Sequence, residues 1–264
     1  MMPSEELQVF KEGGIFHIRL NSPSSKNAVS LELSQHLYNI LHSPILGENI
    51  EGCGLLVISS ALDDIFASGG NLKELAEVSR EESLKLIENM QNVCLKLSQF
   101  PIPTVTLLNG PCYGGGAELA LATDFRISIS EKTAFHFGQT KWAVPGGWHG
   151  TSRLQQISFP TWGRRVGIAM ATEESFSEQK AMRFGILDEA FESPDEAIEW
   201  LNKKSNSFLS CNKQLRQDLM NRKTVDSDSW SQQRDLDNTL FQKYWKKGAH
   251  EEKLLAWKKK KGKA

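Results

Sequence analysis

The chain has 264 residues, 39% hydrophobic and 24% charged, a make-up that excludes wholesale disorder and fits one large domain or two small ones. Its 31 basic and 32 acidic residues nearly cancel, for a formal net charge of -1, so no nucleic-acid or membrane partner is expected. No apolar run approaches the roughly 18 residues that span a bilayer. The first residues, Met1-Met2-Pro3-Ser4-Glu5-Glu6, have neither the basic start and apolar core of a secretory signal nor the arginines of a transit peptide. A cytoplasmic protein is expected. Cys53, Cys94, Cys112 and Cys211 are scattered without a CxxC, which predicts buried free thiols and no metal site.

In chain order, Ile15 to Leu20 alternates apolar and polar residues and predicts a strand with one buried face. Ser30 caps a helix with Leu33, Leu37, Ile40 and Leu41 on one side. Gly54 to Ile58 is a continuous apolar run, the pattern of a strand covered on both faces. Residues 66–71 form a glycine-centred loop, and a helix follows at about 81–99. Thr104 to Leu108 is a second buried strand, and it runs into Asn109-Gly110-Pro111-Cys112-Tyr113-Gly114-Gly115-Gly116. A helix opens directly from those glycines, and Phe125 to Ile129 is a third strand. Beyond about residue 160 the strand signals fade. Ser177 to Gly185 and the segment from Ser193-Pro194 predict helices, as do residues 211–223, 228–245 and 249–260. The order predicts one α/β domain, residues 1–200, with a helical C-terminal region, residues 201–264, ending in the basic run Lys258-Lys259-Lys260-Lys261-Gly262-Lys263.

Several chemistries are excluded by their missing motifs. The sequence has no GxxxxGK[ST] phosphate loop, no GxSxG nucleophile elbow, no HExxH and no GxGxxG. What it has is two glycine loops, each following an apolar strand and each leading into a helix. Backbone amides at such places lack internal partners, and small residues let a ligand approach them. Two such loops meeting at one point would form an oxyanion hole, each donor contributing roughly 3 kcal/mol to a developing enolate. Glu118 lies three residues beyond Gly115, within reach of that point as a general acid/base, or as simple compensation of the helix dipole.

Phe66-Ala67-Ser68-Gly69-Gly70-Asn71-Leu72 together with Asn109 to Ala120 resembles the crotonase superfamily, the enoyl-CoA hydratase/isomerase family. Lys26-Asn27-Ala28, Asp124 to Ile127, Ser177 to Glu189 and His250 to Trp257 resemble further family segments, so the likeness covers about residues 10–258. The resemblance implies a spiral of ββα units (a ClpP/crotonase-like fold) with a C-terminal helical region for trimers or hexamers. It implies an acyl-CoA thioester as substrate, with coenzyme A entering as part of it and no separate cofactor. On the family's pattern Gly70 and Gly115 match the oxyanion donors and Glu118 the acid/base. Ala67, Ser68 and Gly69 match the loop along pantetheine and adenine, with Lys26 and Ala28 beside it. Asn71 replaces a usual Asp, and Tyr113, before Gly114, replaces a usual Leu.

The departure concerns the second glutamate of hydratases. Depending on the anchor chosen, Lys141 or Gln139 fills its slot, and neither is a carboxylate. The segment Lys141 to Thr151 resembles the loop of ethylmalonyl-CoA decarboxylase-like members, with Gly147 and Trp148 expected at the acyl pocket and His149 in place of a common glycine. Isomerase or decarboxylase chemistry is therefore expected ahead of hydration, because decarboxylation needs the oxyanion hole and a later proton but no base to create the enolate. True hydration and a catalytically weak binding module stand as alternatives.

Overall fold

The computed structural model describes residues 5–157, 172–213 and 241–261, with single positions at 165, 168, 169, 216, 220, 235, 238 and 239. The chain opens with an antiparallel hairpin of β1 (Leu7–Glu12) and β2 (Ile15–Leu20). Strands β3 (Leu55–Ser60), β4 (Thr104–Leu108), β6 (Phe125–Ser128) and β9 (Glu189–Ala190) then add in parallel, giving the order β1-β2-β3-β4-β6-β9. A smaller sheet stands beside it, built from β5 (Cys112–Tyr113), β7 (Ala134–His136) and β8 (Ser175–Ser177). Parallel neighbours require crossovers, and helices supply them.

Side chains alternate between two packed layers, as the period of a strand demands. Leu56 and Ile58 join Phe16, Ile18 and Leu20 in the larger core under α1 (Leu31–Leu41) and α4 (Arg80–Ser98). Leu55 and Val57 face the other way, with Ile15, Val105 and Ile127. There they meet Ala197 and Leu201 of a long helix, Pro194–Ser210. The helix starts follow the sequence closely. Ser30 accepts from the Leu33 amide, and Ser79 and Glu82 form a reciprocal capping box. Ser177 caps Glu178–Phe184, which stops at Gly185 in the left-handed conformation.

Two arginines, Arg126 buried and Arg153 half-buried, fix the end of α5 (Gly115–Leu121). Arg153 Nε donates to the Leu121 carbonyl at 2.9 Å and its Nη2 to the Thr123 carbonyl at 3.1 Å. Arg126 Nη1 donates to the same Thr123 carbonyl at 2.7 Å and pairs with Asp188 at 2.5 Å. The last carbonyls of α5 thus have cationic donors where its dipole is negative.

One expectation changes. Strands continue past residue 160, because β8 and β9 are three and two residues long and too short for a periodic signal. The helix Pro194–Ser210, expected from Ser193-Pro194, runs through residue 200. Most of the helices expected at 211–223 and 228–245 lie outside the described residues, whereas the last one is present as Ala249–Lys261. All four cysteines are free, three of them buried. Among the described residues no helix is long and apolar enough to cross a membrane.

The contact between the sheet and the helix Pro194–Ser210 is close enough to test. A Cβ at Gly54 would lie 2.2 Å from the Ser205 carbonyl oxygen, whereas one at Gly47 meets nothing within 4 Å. Gly54→Ala should cost about 2 kcal/mol in urea unfolding. Gly47→Ala, in a short helix, should be neutral or gain up to about 1 kcal/mol.

Candidate active site

The two glycine loops do meet. Phe66 donates to the Pro111 carbonyl at 3.0 Å and Tyr113 donates to the Ala67 carbonyl at 2.9 Å, so the segments run side by side like strands. On its other side the first loop pairs with Val29, through Val29 N–H to Gly69 O at 2.7 Å and Asn71 N–H to Val29 O at 2.9 Å. Gly69 has φ +93° and lies so near the second loop that a Cβ would meet Tyr113 O at 2.7 Å and Gly115 N at 3.2 Å. Among the described residues, neither the Gly70 nor the Gly115 amide donates a backbone hydrogen bond. Both residues line one cavity of about 380 Å³.

Glu118 lines the same cavity and is only 2% exposed. Its carboxylate is enclosed by donors. Oε1 accepts from Gln139 Nε2 at 3.0 Å and from the Gly147 amide at 3.2 Å. Oε2 accepts from the Trp148 and Gly150 amides, each at 2.8 Å. Burial pushes its carboxyl above the ordinary range, and these four donors pull it back, Gly150 most strongly. The loop so held brings the Trp148 indole over Gly115, where a Cβ would lie 2.5 Å from the ring. Only glycine leaves room there for the indole.

Of the two residues competing for the second-glutamate slot, Gln139 stands beside Glu118. Lys141 lies at the cavity rim, 62% exposed and 3.4 Å from Glu173. Ser68, Tyr113, Gly114, Gly147 and Trp148 also line the cavity. Others expected there lie outside its lining. Lys26 is exposed in the left-handed conformation and accepts from the Ser68 amide through its carbonyl. Ala28 and Ala67 are buried in the loop pairing. Asn71 uses its side chain to cap α3 (Leu72–Glu77). His149 is turned away by its positive φ of 68° and borders a small void behind Glu118, with Cys94 and Arg153.

The sequence reading missed two groups. His136 ends β7, stacks on the Tyr113 ring at 4.4 Å and bonds Ser175 Oγ through Nδ1 at 2.7 Å. Burial lowers its pKa, with a smaller contribution from Lys141. The second group is the wall supplied by the C-terminal region, Phe241, Trp245 and His250, more than ninety residues from the rest of the lining except Glu173 and Ser175. No local pattern in the sequence announces such a contact.

Two glycine loops meeting on one cavity, with a buried glutamate on the helix that opens from the second, are the arrangement that the resemblance to the crotonase superfamily implies. The family described as enoyl-CoA hydratase/isomerase matches residues 10–263, and the chain belongs to it. It is 32% identical to the ethylmalonyl-CoA decarboxylase of Mus musculus over 202 residues, which are 73% of this chain and 60% of that protein. It is 27% identical to an enoyl-CoA isomerase/hydratase of Zymoseptoria tritici over 197 residues, 67% of this chain and 64% of that one. The matches thus span less than two thirds of these relatives. The fold is that of the enoyl-CoA hydratase from Bacillus halodurans, with a TM-score of 0.83 at 20% identity over 95% of this chain and 99% of that one.

The enclosure of Glu118 predicts protected loop amides. In hydrogen–deuterium exchange, Gly147, Trp148 and Gly150 should exchange slowly in the native protein. In Glu118→Ala they lose their acceptor and should exchange faster by about tenfold or more, equivalent to roughly 1–3 kcal/mol of lost hydrogen bonding.

Proposed function

We propose that this protein acts on an acyl-CoA thioester by way of an enolate, with isomerase- or decarboxylase-type chemistry. The observation that carries the reading is the apposition of the Gly70 and Gly115 loops on the cavity that holds Glu118, with a carboxamide where hydration would need a second carboxylate. In this reading the thioester oxygen accepts from both amides, and they stabilise it most when it becomes negative. For a malonyl-type thioester, the bond from the α-carbon to the carboxylate breaks. Its electron pair enters the enolate, carbon dioxide leaves, and a proton then goes to the α-carbon. For an isomerisation, a proton leaves one carbon of the acyl chain and returns to another. Glu118 moves that proton, and it gives up one of its four hydrogen bonds to do so. Coenzyme A enters and leaves with the substrate, and no separate cofactor takes part.

Hydration is the second reading, favoured by the names that many relatives of this family bear. It needs one group to activate water and another to handle the α-carbon proton. Gln139 can orient a water molecule but cannot take its proton. A non-catalytic binding module is the third reading, and the intact glycine–glutamate arrangement weighs against it. A cytoplasmic setting fits the four free cysteines, and a trimer or hexamer belongs to the same reading.

The test offers the purified protein crotonyl-CoA, a 3-enoyl-CoA, ethylmalonyl-CoA and methylmalonyl-CoA, with products read by mass spectrometry. Isomerisation or loss of carbon dioxide is the expected result. Rapid hydration of crotonyl-CoA overturns the preference, and binding without turnover of any thioester favours the module. Glu118→Gln should lower turnover about 10²-fold or more while thioester binding persists.

Two further outcomes follow from the carboxyl group. If the ionised form of Glu118 is needed, kcat/KM rises with pH through its folded pKa, so the acid limb falls above the ordinary 4.5. An acid limb at or below that value would place the proton elsewhere. Gln139→Glu puts a second carboxylate where the amide now lies 3.0 Å from Oε1. The pair should then titrate in two separated steps, one raised by like-charge repulsion, and hydration of crotonyl-CoA should rise above the parent level.

A further inference from the structure

Ser83, Ile87 and Gln91 follow at four-residue spacing along one side of α4. Ser83 Oγ accepts from Trp245 Nε1 at 2.9 Å, and Ile87 lines the cavity. Gln91 is half-buried and lies outside the cavity lining. Its Nε2 donates to the Gly147 carbonyl at 2.8 Å and to Asn238 Oδ1 at 2.6 Å, so both of its hydrogens are used. A carbonyl only accepts, which fixes the nitrogen of this side chain, not its oxygen, toward Gly147.

The first of these bonds reaches Glu118 through a single peptide group. The Gly147 carbonyl and the Trp148 N–H belong to the same peptide, and that N–H donates to Glu118 Oε2 at 2.8 Å. A peptide is planar, with its C=O and N–H pointing in opposite directions. Gln91 therefore holds one end of a rigid group whose other end rests on the carboxylate. Gly147 has no Cβ, so its own chain restrains the adjoining torsion loosely. A turn of the peptide would bring the carbonyl oxygen toward Glu118, and an ionised carboxylate has no proton to donate to it. A donor on the carbonyl also polarises the peptide and strengthens the N–H at its far end.

We propose that Gln91 is a positioning residue for the thioester chemistry, acting through the Gly147–Trp148 peptide to keep the Trp148 N–H on Glu118. This deepens the acyl-thioester reading above and rests on it for the reaction served. Trp148 is one of the donors that favour the ionised carboxyl. Loosening it removes part of the downward pull, so the pKa of Glu118 rises further. Three variants separate this role from packing. Gln91→Met keeps the length of the side chain and removes its donors. Gln91→Lys keeps both length and donors. Asn238→Ala removes the second partner and leaves the bond to Gly147.

The experiment uses the full chain without ligand, with amide exchange and the Glu118 carboxyl both followed by NMR. In Gln91→Met the Trp148 amide should exchange about tenfold or more faster than in the native protein. The Glu118 carboxyl should titrate at higher pH there, and the acid limb of kcat/KM, on whichever thioester the native protein turns over, should move up with it. In Gln91→Lys and in Asn238→Ala the Trp148 amide should stay within about threefold of its native rate. The proposal is overturned if Trp148 exchange or the Glu118 titration is unchanged in Gln91→Met. It is also overturned if Asn238→Ala reproduces both effects, since Gln91 then only seats the C-terminal region, or if the acid limb stays in place while the carboxyl moves. If the native protein turns over no thioester, the acyl-thioester reading fails and takes the role in turnover with it; if it turns one over and the ligand-free effects are missing, only the role of Gln91 fails.

Discussion

A single carboxylate surrounded by amides organises this site. Glu118 accepts from three backbone N–H groups of one loop and from the Gln139 side chain. Each bond is ordinary in length, but together they tie helix α5 to residues 147–150. That tie brings Trp148 against Gly115 and brings Gly147 so near Phe241 that a Cβ there would lie 2.5 Å from the ring. Loop, helix and C-terminal wall are therefore positioned from one buried group. Its burial opposes the negative charge and its donors favour it, so the ionisation of Glu118 and the shape of the cavity are coupled.

The same interaction bears on the chemistry. In the proposed reaction a carboxylate with four donors would move a proton only by loosening its hold on the loop. In Gln139 the neighbouring position has a group that donates to Glu118 and cannot ionise. The pair thus has one ionisable group where two glutamates would compete for protons. The proposed preference for reactions that need one proton-handling group and an enolate rests on this pairing.

Much of this was legible in the sequence. Strands β2, β3, β4 and β6 have apolar patterns that follow from one or two buried faces, and Ser30, Ser177 and Gly185 mark helix ends by their own chemistry. The glycine loops were legible because close approach of two backbones tolerates no Cβ at Gly69. Lys141 and Gln139 could not be told apart, since their spacing from Glu118 depends on how the 3-10 turn Gln139–Trp142 is wound. Nor could His149 be placed, because a positive φ is not announced by a histidine. The pairing of His136 with Tyr113 and the seating of His250 are long-range contacts, set by sheet register and by the path of the C-terminal region.

That last contact has a consequence for when the site exists. Residues 67–70 and 112–118 can come together once the central strands have paired, yet the cavity they face still lacks a wall. Residues 241–250 close it. During synthesis from the amino end, the glycine loops and Glu118 are made long before Phe241, Trp245 and His250. The cavity is therefore completed only when the last part of the chain folds back on a lining laid down much earlier.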